Sequence, residues 1–127
     1  VLPRMHADLI DVFMACDEGT LDTAKIAWDD DWAVSVVLAS AGYPGSYESG
    51  KVITGIDDAA KMEGITVYHA GTKLDEDGNV RTAGGRVLDV TAVAPTFAQA
   101  RQRAYAACDL IDFEGKQFRT DIGARAL

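Results

Sequence analysis

Three glycine-punctuated segments carry the residue types best suited to hold a small anion: Gly42-Tyr43-Pro44-Gly45, His69-Ala70-Gly71-Thr72 and Gly84-Gly85-Arg86. Glycine lets a backbone N–H come close to a ligand, and successive N–H groups can line an anion-holding concavity. An arginine beside such a bend grips phosphate or carboxylate through paired donors, and Arg86 stands where that grip would be wanted. The same letters also serve plain tight turns with Arg86 as a surface charge, and the residues alone leave both readings open. His69 alternates with Ile65 and Val67, which suits a hydrogen-bonded core histidine better than a general base. Tyr43 and Tyr47 suit either a pocket wall or a cap on a sheet.

The common machinery of catalysis is missing from the sequence. There is no G-x-x-x-x-G-K-[ST] phosphate loop, no G-x-G-x-x-G and no G-x-S-x-G nucleophile elbow. His6 and His69 lie too far apart in sequence to suggest a histidine-based metal site. The acidic runs Asp29 to Asp31 and Asp75 to Asp77 read as solvated turns, because magnesium keeps waters and wants phosphate partners that no nearby loop would bring. A net charge of −8, with acids dominating a mixed pattern, argues against a nucleic-acid module, which needs clustered Lys and Arg to displace counterions. No charged segment followed by an apolar run marks a signal peptide. The longest apolar stretch, Trp32 to Ala41, is strand-sized and interrupted by Ser35 and Ser40, well short of the ~20 residues of a membrane span. Cys16 and Cys108 are expected as buried, reduced thiols of a cytoplasmic protein.

The elements that must position these loops follow from pattern. At 127 residues and 48% apolar, the chain suffices for one domain with a real core. Met5, Leu9, Val12, Phe13 and Cys16 fall at helical spacing and predict a helix from Met5 to Asp17, stopped by Gly19. Lys25 to Trp28 predicts a short strand. Trp32 to Ser40, rich in Val and Ala without strong alternation, predicts a strand covered on both faces. Lys51 to Gly55 reads as a short extended piece, and Asp57 or Asp58 as the cap of a short helix through Met62. Ile65 to Ala70 and Asn79 to Ala83 read as strands, with a hairpin turn at Asp75-Glu76-Asp77-Gly78. Arg86 to Val93 is a further strand. Thr96 with Gln99 forms a capping box for a helix whose stripe is Phe97, Ala100, Ala104, Ala107, Cys108 and Ile111. Lys116 to Ile122 is an extended tail. Because most connections look like hairpins or loops, the expectation is an α+β fold with a mainly antiparallel sheet and flanking helices.

These strings together resemble one family. Trp28-Asp29-Asp30, the run Ala33 to Glu48, Val52-Ile53-Thr54-Gly55, Tyr68 to Thr72, Gly84 to Ala92, Asp112 to Gly115 and Arg119 to Leu127 are similar, in order, to the C-terminal domain of glycinamide ribonucleotide synthetases. Val1-Leu2-Pro3-Arg4-Met5 and the following helix resemble the last element of that family's ATP-grasp region, which implies a division into residues 1–28 and 29–127. The resemblance implies a rudimentary hybrid-type β domain and an ATP-dependent ligase of de novo purine biosynthesis. In that reaction ATP phosphorylates the glycine carboxylate, and the amine of 5-phosphoribosylamine attacks the acyl phosphate. It implies ATP and Mg2+ or Mn2+ for the whole enzyme, held by upstream ATP-grasp and N-terminal domains, with none bound by this piece alone. By the same analogy Gly42, Tyr43, Pro44, Gly45, His69, Gly71, Thr72, Gly84, Gly85 and Arg86 would face the cleft, Arg86 as a phosphate or carboxylate contact, with Arg4 and Arg125 as secondary candidates. No residue is expected to transfer a proton. A start at Val1 without Met reads as an excised piece. The competing readings are a non-catalytic domain that binds an amino acid, and a structural domain that docks a partner through the Met5 to Asp17 helix.

Overall fold

The computed structural model describes residues 1–126; the last residue of the tail string, Leu127, lies outside the described residues. At its centre is a three-stranded antiparallel sheet in the order β3 (Trp32–Ala39), β7 (Arg86–Ala94) and β4 (Ile65–His69). Helix α3 (Phe97–Leu110) packs across one face, against β3 and β7. Short helix α2 (Ile56–Ala60) packs against β4 and α3. Two ribbons complete the fold: β1 (Met5–His6) with β2 (Ala27–Trp28), and β5 (Thr72–Leu74) with β6 (Val80–Thr82). The α+β class and the antiparallel pairing agree with the sequence reading. Among the described residues no helix is long and apolar enough to cross a membrane.

The core lies between the sheet and α3. Val34, Val36 and Leu38 of β3 meet Leu88, Val90 and Ala92 of β7 there, together with Ala100, Ala104, Ala107 and Cys108. The apolar stripe of α3 is the one its spacing predicted. Its start is fixed by Thr96, whose side chain accepts from the backbone N–H of Gln99 at 3.3 Å. Small alanines on that face let the helix sit close to the strands. Burial pushes the Cys108 thiol up to about 12, because a thiolate has no water there.

β3 is not covered on both faces. Its burial alternates, with Ser35 and Val37 exposed between buried Val34, Val36 and Leu38, because α3 takes one face and the other carries a row of polar side chains. On that second face Ser35 and Thr91 share a hydrogen bond of 2.5 Å, and Thr91 donates to Asp89 at 2.9 Å.

The N-terminal arm departs most from expectation. Helix α1 runs Leu9–Glu18, not from Met5, because Asp8 caps it by accepting from Ile10 N–H at 2.8 Å. Met5 and His6 instead pair with Trp28 and Ala27. No residue of α1 is buried, so Cys16 is exposed and not a core thiol. The short helix α2 is not capped by Asp57 or Asp58: Gly55 precedes it at φ 80°, and no side chain caps it. The extended piece at 51–55 forms only isolated bridges, Val52 to Arg81 and Thr54 to Asp112, and the tail bridges β3 once, at Gln117 to Ala39.

Candidate functional site

The three glycine bends converge. Gly71 N–H donates to the carbonyl of Arg86 at 2.9 Å, and Ala83 N–H to the carbonyl of Gly71 at 2.7 Å. Gly71 and Gly84 touch backbone to backbone, leaving no room for a Cβ on Gly71. Gly85 lies under the rings of Tyr43 and Tyr47, and a Cβ there would collide with the Tyr43 ring. The two tyrosines sit 6.5 Å apart, centroid to centroid. Tyr43 and Tyr47 therefore do more than cap the sheet: their rings brace the peptide before Arg86. The turn carrying Tyr43 closes by a 2.7 Å bond from Gly45 N–H to the Gly42 carbonyl, and its Tyr43-Pro44 peptide is cis.

A break in strand register aims Arg86. Leu38 opposes Leu88, but Ala39 opposes Arg86, so β7 holds one extra residue at this point. Strict alternation from Leu88 would send the side chain of residue 86 to the buried face. With the bulge, Val87 and Leu88 are both buried and Arg86 is exposed. Bulges beside functional sites commonly re-aim a side chain in this way. Arg86 opens onto a groove of about 490 Å³ lined with Val37, Tyr43, Pro44, Phe118 and Arg119. Arg119 is held by Asp121 through bonds of 2.8 and 2.6 Å. That pairing raises the Arg119 pKa and lowers that of Asp121. Among the described groove residues, Arg86 is the cation without an ion pair.

A second cluster pins the Tyr47 loop. Lys51 binds Glu114 at 2.8 Å and Glu48 at 3.1 Å, and the bonds to Glu114 and then Glu48 raise its pKa. Gln117 donates to the Tyr43 carbonyl at 3.0 Å. The loop is thus tied on both sides.

The remaining sequence candidates lie elsewhere or differ in role. His69 is exposed at the end of β4, its Nδ1 2.9 Å from Thr72 Oγ1, so it is a turn-bracing residue and not a core histidine. Arg4 donates twice to the carbonyl of Asp29, at 3.2 and 2.8 Å, beside the start of β3. Arg125 follows Gly123, which packs on Phe97, and Phe97 meets Trp32 at the same end of the sheet. Neither arginine joins the Arg86 groove, which lies at the far end of β3. Asp75 is no solvated turn residue: it accepts from Asp77 and Asn79 backbone N–H groups and from Arg81 Nε at 2.5 Å. The Arg81 bond, followed by that from Asn79, lowers its pKa to about 2. Among the described residues no three His, Cys, Asp or Glu side chains converge as a metal site would require. Ser40 and the bulge escaped the sequence reading. A lone serine closing the apolar run of β3 was the available signal for Ser40, and the bulge left none.

With this geometry in view, similarity to known proteins becomes specific. Residues 33–125 match the family model described as phosphoribosylglycinamide synthetase, C domain. The chain belongs to that family. The synthetase C domain thus takes in the sheet, α2, α3 and all three bends. The chain is 50% identical over 127 residues to the phosphoribosylamine–glycine ligase of Chlorobaculum tepidum, covering all of this chain and 30% of that protein. It is 46% identical over 128 residues to the chloroplastic enzyme of the same name from Arabidopsis thaliana, of which it covers 24%. The crystal structure of the phosphoribosylamine–glycine ligase of Thermotoga maritima superposes with a TM-score of 0.68 at 34% identity, over 88% of this chain and 27% of that one. The chain therefore spans under a third of the length of these relatives.

Proposed function

We propose that this chain is the C-terminal part of an ATP-dependent ligase that joins glycine to 5-phosphoribosylamine, and that its groove beside Arg86 receives the phosphate-bearing substrate. The observation that carries the second half is an unpaired guanidinium that opens onto the groove from the residue at whose backbone the three glycine bends meet. The family membership and the names of the relatives support the first half. On this reading residues 1–28 close the upstream ATP-grasp region and residues 29–127 form one wall of the cleft. Nucleotide and Mg2+ belong to the upstream portion, and the enzyme works in the cytoplasm.

The chemistry asks for three things: charge neutralisation on phosphate, exclusion of water from an acyl phosphate, and alignment of the attacking amine. Forming the amide breaks the acyl–phosphate bond and releases phosphate. Arg86 meets the first need with fixed, paired donors. The apolar walls Val37, Tyr43, Pro44 and Phe118 keep water from the Arg86 contact and so strengthen it, and the second need falls to the closed cleft as a whole. Holding the phosphate end against Arg86 fixes one end of the substrate, and aligning its amine falls to this wall together with the upstream one. No side chain here is given a proton to move.

The test uses the intact protein and this chain side by side. The intact protein forms glycinamide ribonucleotide from glycine, 5-phosphoribosylamine and ATP, and this chain alone neither turns over nor retains glycine in equilibrium dialysis. Measurable glycine affinity of the chain alone would favour an amino-acid-binding domain instead.

A further inference from the structure

Ser40 is buried, at 4% exposure, just past the end of β3. Both of its hydrogen-bond donors go to the bend that precedes Arg86, while its carbonyl accepts from Tyr43 N–H at 3.1 Å. Its backbone N–H donates to the Gly85 carbonyl at 2.8 Å, and its hydroxyl donates to the Gly84 carbonyl at 2.9 Å. The Tyr43 and Tyr47 rings also pack against Gly85 of this bend. The bulge at Val87 lies one residue beyond Arg86.

A bulge alone permits more than one setting of the chain, since the extra residue is left out of the ladder. Two adjacent carbonyls held from one serine remove the freedom of the Gly84-Gly85 pair, whose lack of side chains would otherwise leave it loose. The direction of the Arg86 side chain then follows from the direction of the peptide before it. We propose that Ser40 is a positioning residue for Arg86, and that its hydroxyl, through the Gly84 carbonyl, sets the guanidinium for the substrate's phosphate. This rests on the reading of Arg86 as the phosphate contact.

A double-mutant cycle in the intact ligase separates the two ideas. Arg86→Ala, Ser40→Ala, Ser40→Thr and the double variant Ser40→Ala/Arg86→Ala are assayed for KM toward 5-phosphoribosylamine and for kcat, with a thermal melt of each. Ser40→Ala is expected to raise that KM roughly 3–10-fold, the size of one neutral hydrogen bond, with kcat within about twofold. Ser40→Thr, which keeps the hydroxyl, restores most of the loss. In the Arg86→Ala background, Ser40→Ala adds less than about twofold, because the group it acts through is gone. If Arg86→Ala raises KM and Ser40→Ala does not, or if the Ser40→Ala effect persists undiminished without Arg86, Ser40 is an ordinary structural residue and the proposal is overturned. If Arg86→Ala itself leaves KM unchanged, both readings fall together.

Discussion

Helices α1 and α3 both carry apolar stripes and proper caps, yet they end in opposite circumstances. Four residues of α3 are buried, and none of α1 is. Ile10 is 68% and Phe13 61% exposed, side chains of a kind usually found inside. What forms a helix is local: Asp8 and Gly19 bound α1 as firmly as Thr96 starts α3. What buries it is a partner, and the family model begins at residue 33, beyond the arm. The difference teaches that this polypeptide holds one complete core and one element whose apolar side faces outward.

The widest separation between the two regions is expected in thiol chemistry. Cys16 on α1 is exposed and Cys108 on α3 is buried, with its pKa pushed up to about 12. In the isolated chain at neutral pH, a thiol reagent should modify Cys16 at least ~10³-fold faster, because Cys108 waits for an opening that approaches global unfolding. Comparable rates, read by mass spectrometry, would erase the contrast. Next in size is core truncation. Leu88→Ala should cost about 2–5 kcal/mol in urea unfolding, since Leu88 is fully buried. Phe13→Ala in the same chain should change stability by under ~0.5 kcal/mol. A large loss at Phe13 would mean that α1 packs on the body after all.

The smallest effect concerns the β5–β6 hairpin, a satellite of the body. Asp75 is held as a carboxylate by Arg81 and Asn79, with its pKa lowered from 3.8 to about 2. A lowered folded-state pKa stabilises above the unfolded value and fades as pH falls through the folded one. Wild type should therefore melt higher than Asp75→Asn at pH 5, and the gap should narrow steadily toward pH 2. A gap that stays constant with pH would show that geometry, not charge, holds the turn.

Much of the body was legible because its patterns are periodic. The α3 stripe follows 3.6-residue spacing, and Asp77-Gly78 marks the hairpin as short-range turn chemistry does. The bulge was not legible: Val87 and Leu88 are both apolar, so a shift of phase leaves no trace in the letters. The start of α1 was misread because Met5 lies four residues before Leu9, at helical spacing, while Asp8 stops the helix from extending back. Cys16 was misplaced for a related reason, since period tells which face is apolar and not what covers it. The three bends were found as glycine signals, but their convergence depends on long-range contacts such as Gly71 on Gly84 and Tyr43 on Gly85.

The central claim is that Arg86, turned outward by the bulge, grips a phosphate while Arg125 at the other end of the sheet does not. Steady-state kinetics of Arg86→Ala and Arg125→Ala in the intact protein test it directly. The KM for 5-phosphoribosylamine should rise about 10–100-fold in Arg86→Ala, the range of one charged hydrogen-bond pair, with Arg125→Ala within about twofold of wild type. An unchanged KM in Arg86→Ala, or the larger rise in Arg125→Ala, would contradict it.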